Sequence, residues 1–227
     1  MNEFNLLKNY PTKKIKRYVG PGIRTIDHRI LASLREKDFF DGDRNCGYGG
    51  YSYDGRWQSI AKDIIKKYKL KNGSKVLQIS AEKGFLMYEL IKQNPKIKVF
   101  GLETSNHAVS KSLNHVKKKI KKVENYIDFE IKGKFDFVIA LGVVYTLTLG
   151  DVIKCLKIIQ KLSHGKSFIT LASYNNDKDY WLFKDWTVLG TTLLKKKDWK
   201  KVLKYAGYTG DFFFTDAKKL NLFRKNR

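Results

Sequence analysis

The segment Val76–Leu86 reads VLQISAEKGFL, which is the order of an apolar strand, a short loop and the start of a helix. We predict a strand over Lys75–Ser80 and a helix over Gly84–Gln93, because apolar residues dominate the first and a glycine opens the second. A loop that joins a strand to a helix is where α/β proteins hold nucleotide-like ligands. The segment therefore places both the first strand of the sheet and the first candidate site.

Apolar strands and amphipathic helices alternate on both sides of this segment. The further predicted strands are Ile97–Glu103, Tyr126–Ile131, Phe135–Leu141, Lys166–Tyr174 and Asp211–Thr215, and the further predicted helices are Gln58–Leu70, Asn106–Lys122, Gly150–Leu162 and Lys195–Tyr205. The run Phe135–Leu141 (FDFVIAL) is almost continuously apolar, which is typical of a strand buried on both faces. Strict alternation of this kind predicts an α/β fold with a parallel sheet between two layers of helices.

The first 56 residues have a different character. Met1–Arg24 is basic and lacks apolar periodicity, so we interpret it as an arm. Thr25–Phe40 has helical spacing behind Thr25 as a candidate N-cap, and the loop Asp41–Arg56 is rich in Tyr and Gly. We therefore divide the chain into residues 1–56 (arm, short helix and cap) and residues 57–227 (α/β domain).

The charge of the chain is less informative than its size. Lys and Arg number 46 against 22 Asp and Glu, for a net charge of +24, which could indicate a nucleic-acid partner. However, 38 of these cations are Lys and only 8 are Arg, whereas base and phosphate recognition favours the bidentate guanidinium of Arg. The lysines are dispersed along the chain among many Asn, Ile and Tyr, as in A/T-rich genomes, so we do not expect a nucleic-acid partner.

Composition also bears on the location of the protein. With 42% hydrophobic and 14% aromatic residues the chain can bury a real core. No run approaches the ~18 apolar residues of a membrane-spanning helix, and Met1–Tyr10 lacks the apolar stretch of a signal peptide. Cys46 and Cys155 form neither a metal-binding spacing nor a disulfide framework. We expect a cytoplasmic protein without a membrane span and without a metal.

Several segments together resemble the class I S-adenosylmethionine-dependent methyltransferases. They are the succession of strands, the acidic residue Glu103 at the end of the second strand, the helix Asp151–Leu162 and the ending AGYTGDFFF (Ala206–Phe214). The stretch GYGGYSYDGRW (Gly47–Trp57), followed by an amphipathic helix, resembles a group of small methyltransferases often encoded in surface-polysaccharide gene clusters. The resemblance covers Asp41–Phe214. It implies a Rossmann-like fold, with a mostly parallel seven-stranded sheet.

The same resemblance implies a function and a cofactor. The family transfers a methyl group from S-adenosylmethionine, here to an oxygen of a small sugar or sugar-like precursor of a surface glycan. The implied cofactor-binding residues are Gln78, Ser80, Ala81, Glu82, Gly84, Glu103, Asp128 and Leu141. The first loop of the family reads like VLDIGCGKGFL, so Ser80 and Glu82 replace glycines that let the backbone approach the cofactor. Glu82 either accepts a hydrogen bond from the ammonium group of the cofactor or blocks its site.

The candidate residues for the acceptor come from the cap and from the ends of two later strands. Tyr145 and Asp54 are the candidate catalytic groups, and the candidate substrate-binding residues are Tyr51, Tyr53, Arg56, Tyr174 and Asp177. Arg56 would suit a carboxylate or phosphate. Two structural alternatives stay open: Asp54 and Arg56 pair with each other in a turn, and Tyr145 packs in the core.

Three functions are compatible with these features. The first is methylation of a small-molecule acceptor, and the second is a cofactor-deficient relative that serves as a partner or scaffold subunit of an active paralogue. The third, an RNA methyltransferase, rests on the charge alone. The oligomeric state, a homodimer or a complex with a paralogue, is open as well.

Overall fold

The computed structural model describes residues 1–11 and 15–225. Its strands are β1 (Arg17–Val19), β2 (Lys75–Ile79), β3 (Lys98–Glu103), β4 (Ile120–Lys122), β5 (Phe137–Ala140), β6 (Ser167–Tyr174), β7 (Leu194–Lys195), β8 (Asp211–Thr215) and β9 (Leu222–Arg224). Its α-helices are α1 (Ile26–Ser33), α2 (Lys37–Asp41), α3 (Gln58–Tyr68), α4 (Phe85–Gln93), α5 (Asn106–Ser110), α6 (Asn114–Lys117), α7 (Leu149–Ser163), α8 (Asp177–Trp186) and α9 (Lys196–Tyr205). A 3₁₀ turn covers Val144–Thr146.

Seven strands form one parallel sheet in the order β4-β3-β2-β5-β6-β7, and β8 also pairs with β6. The predicted α/β, Rossmann-like fold is confirmed. The chain runs from β2 outward to β4 and then returns to β5 on the other side of β2, so the strand order reverses between β2 and β5. In open α/β sheets ligands bind at the carboxyl ends of the strands beside such a reversal. The fold therefore directs attention to the ends of β2, β3 and β5.

Helices cover both faces of the sheet, as the alternation predicts. On one face α7 and α9 pack on the sheet through side chains such as Leu156 and Trp199, which are fully buried. The indole Nε1 of Trp199 donates to the Ala172 carbonyl at 2.6 Å, which satisfies its polar atom inside the core. On the other face α3 and α4 contribute Ile60 and Leu90. The central strands β2, β5 and β6 are thus buried on both sides, which explains their nearly continuous apolar runs.

Most predicted elements lie within two residues of their observed bounds, but the predicted helix Asn106–Lys122 is wrong. The segment forms α5, α6 and the edge strand β4. Val116 and Ile120 are both buried and suggest helical spacing, yet β4 pairs with β3. Gly101 on β3 permits this, because a Cβ at that position would lie 3.2 Å from Ile120 Cγ1. Contact across the sheet, which local spacing does not encode, determines the structure here.

The predicted strand Tyr126–Ile131 is also wrong. The segment is irregular, and the Asn125 side chain accepts hydrogen bonds from the amides of Ile127 (3.0 Å) and Asp128 (2.6 Å) in an Asx-type turn. The strand of this part of the chain is β4, which comes earlier. Helix α8 is not among the predicted elements. It begins after its N-cap residue, Asn176.

The N-terminal residues lie against the sheet. The Phe4 amide donates to the Phe212 carbonyl at 3.1 Å, and β1 pairs in parallel with β9. The Thr25 N-cap is confirmed, but the helix predicted over Thr25–Phe40 is interrupted at Arg35, whose φ is +52°, and forms α1 and α2. The division into residues 1–56 and 57–227 stays a prediction. None of the helices in the described ranges is long and apolar enough to cross a membrane.

Candidate active site

The loop between β2 and α4, residues 80–84, has an unusual backbone. Ser80 (φ +59°), Glu82 (φ +53°) and Gly84 (φ +75°) all adopt the left-handed region. This region costs a non-glycine residue about 1–2 kcal/mol. Gly84 is required for a second reason, since a Cβ there would lie 2.6 Å from Val116 Cγ2. The loop therefore has a glycine-type conformation even though two of its positions carry side chains.

Glu103 holds this loop from the end of β3. Its carboxylate is fully buried and accepts hydrogen bonds from the amides of Glu82 (2.7 Å), Thr104 (2.8 Å) and Ser105 (3.0 Å). The Tyr126 hydroxyl donates a fourth hydrogen bond at 3.2 Å. The carboxylate thus links the ends of β2 and β3 at the reversal of strand order.

Arg35, between α1 and α2, reaches into the same place. Its Nη2 donates to Ser80 Oγ at 3.0 Å and lies 4.0 Å from Glu103 Oε1. Its guanidinium lies over the Phe39 ring, 5.2 Å from the centroid. The Nε atom is buried and has no hydrogen-bond partner among the described residues. A buried, partly unsatisfied cation therefore occupies the centre of the candidate site.

Two cavities meet at Arg35. The first, of about 170 Å³, extends from the β2–α4 loop to the end of β5, and the second, of about 540 Å³, lies beyond the end of β4. Both are lined by Arg35, Thr146, Val188 and Leu189. They form the two halves of one cleft along the carboxyl ends of the central strands. The first alone is smaller than the ~300–1,000 Å³ of ordinary ligand pockets, whereas the two together fall within that range.

The second cavity contains a residue that the sequence interpretation missed. Its polar lining includes Glu124 and Asn125, two and three residues after the end of β4, and Thr104, the residue after β3; the Glu124 side chain is 90% exposed and lies 3.3 Å from Lys122 Nζ. Asp128, one of the cofactor-binding residues implied by the resemblance, is exposed and lines a separate groove. Glu124 follows its strand almost as closely as Glu103 ends β3. An acidic residue close to the end of a strand is the signal that points to Glu124, and it can be read from the sequence once β4 is placed correctly.

The first cavity gathers several predicted residues. Ser80, Glu82, Leu141 and Tyr145 all line it. Burial raises the pKa of Tyr145 to about 12, so its hydroxyl is neutral at pH 7. That hydroxyl makes no hydrogen bond with another residue of the described chain and is free to bind a ligand.

Gln78 and Ala81 lie beneath the loop and line neither cavity. Gln78 is buried in β2 and its Nε2 donates to the Ser80 carbonyl at 3.2 Å, while its Oε1 has no partner among the residues described. Ala81 packs against Gly101, where an added Cβ would lie 2.7 Å from the Ala81 Cβ. Both residues support the shape of the loop from below.

The structure keeps most of the predicted acceptor residues outside the cleft. Arg56 Nε donates to both carboxylate oxygens of Asp54, at 2.8 and 2.7 Å, and both side chains are more than 40% exposed. This geometry matches the structural alternative, in which the two residues pair in a turn. Tyr174 packs edge-on against Tyr180, and Asp177 is an exposed residue in the first turn of α8.

The cap, residues 36–56, is fastened to the β2–α4 loop by a buried lysine. Lys83 Nζ donates to the two carboxylate oxygens of Asp41, at 2.6 and 2.7 Å, and to the Tyr51 carbonyl at 2.7 Å. His107 adds a 2.7 Å contact to Asp41. Burial alone would raise the pKa of Asp41, but the hydrogen bonds from Lys83 and His107 lower it to about 2. The carboxylate is therefore ionised at neutral pH, and the connection is charged.

Tyrosines of the cap add further contacts to the domain. The Tyr48 hydroxyl donates to Glu82, and the Tyr53 hydroxyl donates to Glu89 on α4. Tyr51 is buried and stacks on Tyr48, with ring centroids 4.5 Å apart. Burial raises the pKa of the Glu82 carboxyl, and the Tyr48 hydrogen bond opposes this. The cap thus closes over the loop, with Glu82 turned toward Tyr48.

Known proteins share this sequence pattern and fold. The sequence profile of a family described as "Methyltransferase domain" matches residues 70–207, more than half of the chain. No protein of curated function matches the chain. A protein of Bacillus halodurans C-125 assigned as a methyltransferase has 15% identity and a TM-score of 0.52, covering 65% of this chain and 68% of its own. The Haloferax volcanii partner of the Trm112 methyltransferase activator has 16% identity and a TM-score of 0.51, covering 68% and 73%.

Another solved structure is similar over a shorter stretch. It is an S-adenosylmethionine-dependent methyltransferase of Clostridium acetobutylicum, with 16% identity and a TM-score of 0.40 over 47% of this chain. The matched region spans 45% of the length of that protein. At such identities the likeness between structures concerns the fold.

Proposed function

The chain belongs to the methyltransferase domain family, and we propose that it transfers a methyl group from S-adenosylmethionine to an oxygen of a small sugar-like precursor of a surface glycan. The observation that carries the proposal is the β2–α4 loop, which keeps a glycine-type backbone at Ser80 and Glu82 beside the buried carboxylate of Glu103. The sugar-like acceptor rests on the resemblance of the cap segment to methyltransferases of polysaccharide gene clusters.

The residues of the cleft fit this cofactor if two donors beside Glu103 give way. The Arg35 Nε is a buried donor without a partner among the described atoms, so the guanidinium does not make all of its hydrogen bonds where it lies. Ribose hydroxyls would replace the Arg35 guanidinium and the Tyr126 hydroxyl beside Glu103. Glu124 and Asn125 would accept and donate hydrogen bonds at the adenine. The amides of the β2–α4 loop would face the methionine part of the cofactor.

The chemistry asks little of the protein. When bound, S-adenosylmethionine supplies an activated methyl group on a positively charged sulfur. The protein has to align an acceptor oxygen with that group and exclude water. The Tyr145 hydroxyl lines the first cavity in neutral form, so it suits the orientation of an acceptor hydroxyl by hydrogen bonding and not the removal of its proton.

Calorimetric titration with S-adenosylhomocysteine tests the proposal. We expect saturable binding by the wild-type protein with a Kd between about 1 μM and 1 mM, the range of typical KM values. The absence of heat up to millimolar ligand would overturn it. That result would favour the cofactor-deficient partner subunit, for which the side chains in the loop and the placement of Arg35 are the supporting observations.

Glu82→Gly should tighten cofactor binding. Removal of the side chain lets the backbone approach the ligand and takes away a carboxylate that would repel the carboxylate of the cofactor, so we expect an affinity gain of about tenfold. The measurement is the same titration with S-adenosylhomocysteine. Ser80→Gly is the matched comparison, because it relieves a similar positive φ without changing the charge. Equal affinity of wild type and Glu82→Gly for S-adenosylhomocysteine would mean that the Glu82 side chain does not hinder cofactor binding.

A further inference from the structure

Arginines converge on the first cavity to an extent that the composition does not explain. The chain has 8 Arg against 38 Lys, yet Arg24, Arg35 and Arg44 all line this one cavity. Arg35 is engaged with Ser80 and Glu103 on the side of the loop. Arg24 and Arg44 belong to the segments before α1 and after α2 and are available for another role.

Among the residues that the structure describes, neither Arg24 nor Arg44 has a carboxylate partner. The arginine side chains that lie within 4.0 Å of a carboxylate in the described part of the chain are Arg35, Arg56 and Arg224. Arg24 instead donates to the Trp186 carbonyl, and Arg44 donates to the Gly47 carbonyl. Each contact uses one of the five N–H donors of a guanidinium and leaves its charge uncompensated.

The rest of the lining does not supply the missing negative charge. Glu82 is the acidic residue among the described groups that line the cavity, and the Tyr48 hydroxyl already donates to it. Burial is the main reason why the pKa of Arg24 is lowered to about 10, and repulsion from Arg44 and Arg29 adds to the effect. At pH 7 the guanidinium therefore stays charged, and an anion placed beside it would be stabilised.

Arg24 is also held in place. Its guanidinium lies over the Trp186 ring, 5.5 Å from the centroid, in addition to the bond with the Trp186 carbonyl at the end of α8. Arg29 fixes the same helix end, donating to the Thr187 carbonyl at 2.6 Å. A pre-organised guanidinium loses little entropy when it binds a planar or tetrahedral anion.

We propose that Arg24 and Arg44 bind an anionic group of the acceptor, a phosphate or a carboxylate, in the cavity that the Tyr145 hydroxyl also lines. This inference rests on the proposed function, since it specifies the class of acceptor that the methyltransferase takes. The acceptor is thus an acidic or phosphorylated sugar rather than a neutral one. Arg56, which the sequence suggested for this role, is paired with Asp54 outside the cavity.

The test is calorimetric binding of three sugars, glucose 6-phosphate, glucuronate and glucose, each with and without saturating S-adenosylhomocysteine. We expect the anionic sugars to bind at least about tenfold more tightly than glucose, since hydrogen bonds to charged groups are the stronger ones. The tighter of the two anions identifies the group as phosphate or carboxylate. Higher salt should weaken the binding of both.

Variants assign the effect to the two arginines. The double substitution Arg24→Gln with Arg44→Gln should abolish the preference for anions, and Arg44→Gln alone should reduce it at least about fivefold. The single variant guards against misfolding, because Arg44 is exposed in a loop. Arg56→Gln is the matched control and should leave the preference unchanged.

Three outcomes would overturn the inference: equal binding of glucose and the anionic sugars, an equal loss in the Arg56→Gln control, or a loss of S-adenosylhomocysteine affinity in place of sugar affinity. The last would mean that the arginines hold the carboxylate of the cofactor. Titration of S-adenosylhomocysteine alone judges the proposed function separately. Anion binding without cofactor binding would leave the anion site in place while removing the methyltransferase proposal.

Discussion

Glu103→Ala should abolish detectable binding of S-adenosylhomocysteine and destabilise the protein by about 3 kcal/mol. The carboxylate is fully buried and accepts from the amides of Glu82, Thr104 and Ser105. Alanine leaves these donors without a partner, and a buried unsatisfied group costs about 1–3 kcal/mol. It also removes the acceptor that we assign to the ribose hydroxyls.

Urea unfolding and calorimetric titration measure the two effects of Glu103→Ala separately. Glu103→Gln should be intermediate, because the amide keeps the shape and one acceptor oxygen but introduces donors that face the backbone amides. Glu130→Ala is the control, since Glu130 is exposed and should change stability by no more than about 0.5 kcal/mol. Wild-type affinity for S-adenosylhomocysteine in folded Glu103→Ala would contradict the assignment of the ribose site.

The central sheet could be predicted because its signal is local. Phe135–Leu141 is apolar at nearly every position, and β5 within it is fully buried. The acidic residue at the end of β3 could be identified for the same reason, because its position depends only on where one strand ends. Strand ends and apolar runs are encoded by neighbouring residues.

The edge of the sheet could not be predicted in this way. In Asn106–Lys122 the lysines hide the breaks between α5, α6 and β4, and the strand depends on pairing with β3, where Ile120 lies beside Gly101. Misplacing β4 then displaced the candidate from Glu124 to Asp128. The wrong bounds of one element thus changed which acidic residue was chosen as a candidate, and the role of Glu124 stays a prediction.

The cationic residues of the cleft were beyond sequence reasoning for a different reason. Arg24, Arg35 and Arg44 are far from the β2–α4 loop in sequence and reach the cleft because residues 24–56 fold back over it. Arg56 looked equally suitable, but a carboxylate two residues away pairs with it. Which arginine faces a cavity depends on tertiary contacts and not on motif.

Lys83→Met should detach the cap from the β2–α4 loop and cost about 2 kcal/mol, less than the ~3–5 kcal/mol of a fully buried broken pair because Asp41 is partly exposed. Lys83 is almost fully buried and supplies the donors to Asp41 and to the Tyr51 carbonyl. Methionine has a similar length but donates nothing. Within the described residues, the Asp41 carboxylate then keeps His107 and the Tyr51 amide as partners.

Hydrogen exchange can localise the effect of Lys83→Met. The amides of Gly50 and Tyr51, which bond to the Phe40 carbonyl and to Asp41, should exchange faster, while those of β2 and β5 should not change. Lys92→Met, on the exposed face of α4, is the matched control. A uniform rise in exchange would mean that Lys83 supports the whole domain and not the cap.

The dependence on pH gives a second signature for Lys83. The pKa of Asp41 is lowered from its ordinary 3.8 to about 2, so its stabilisation is present above pH 3.8 and is lost as the pH falls toward 2. The difference in unfolding free energy between wild type and Lys83→Met should therefore be constant at neutral pH and narrow below about pH 4.

Because the segment of Arg44 and Tyr48 is held through this connection, the variant should lose its preference for anionic sugars while Glu103 and the β2–α4 loop stay in place. A variant that kept both the preference and the slow exchange of the cap would show that the aromatic contacts of Tyr51 hold the cap without the lysine.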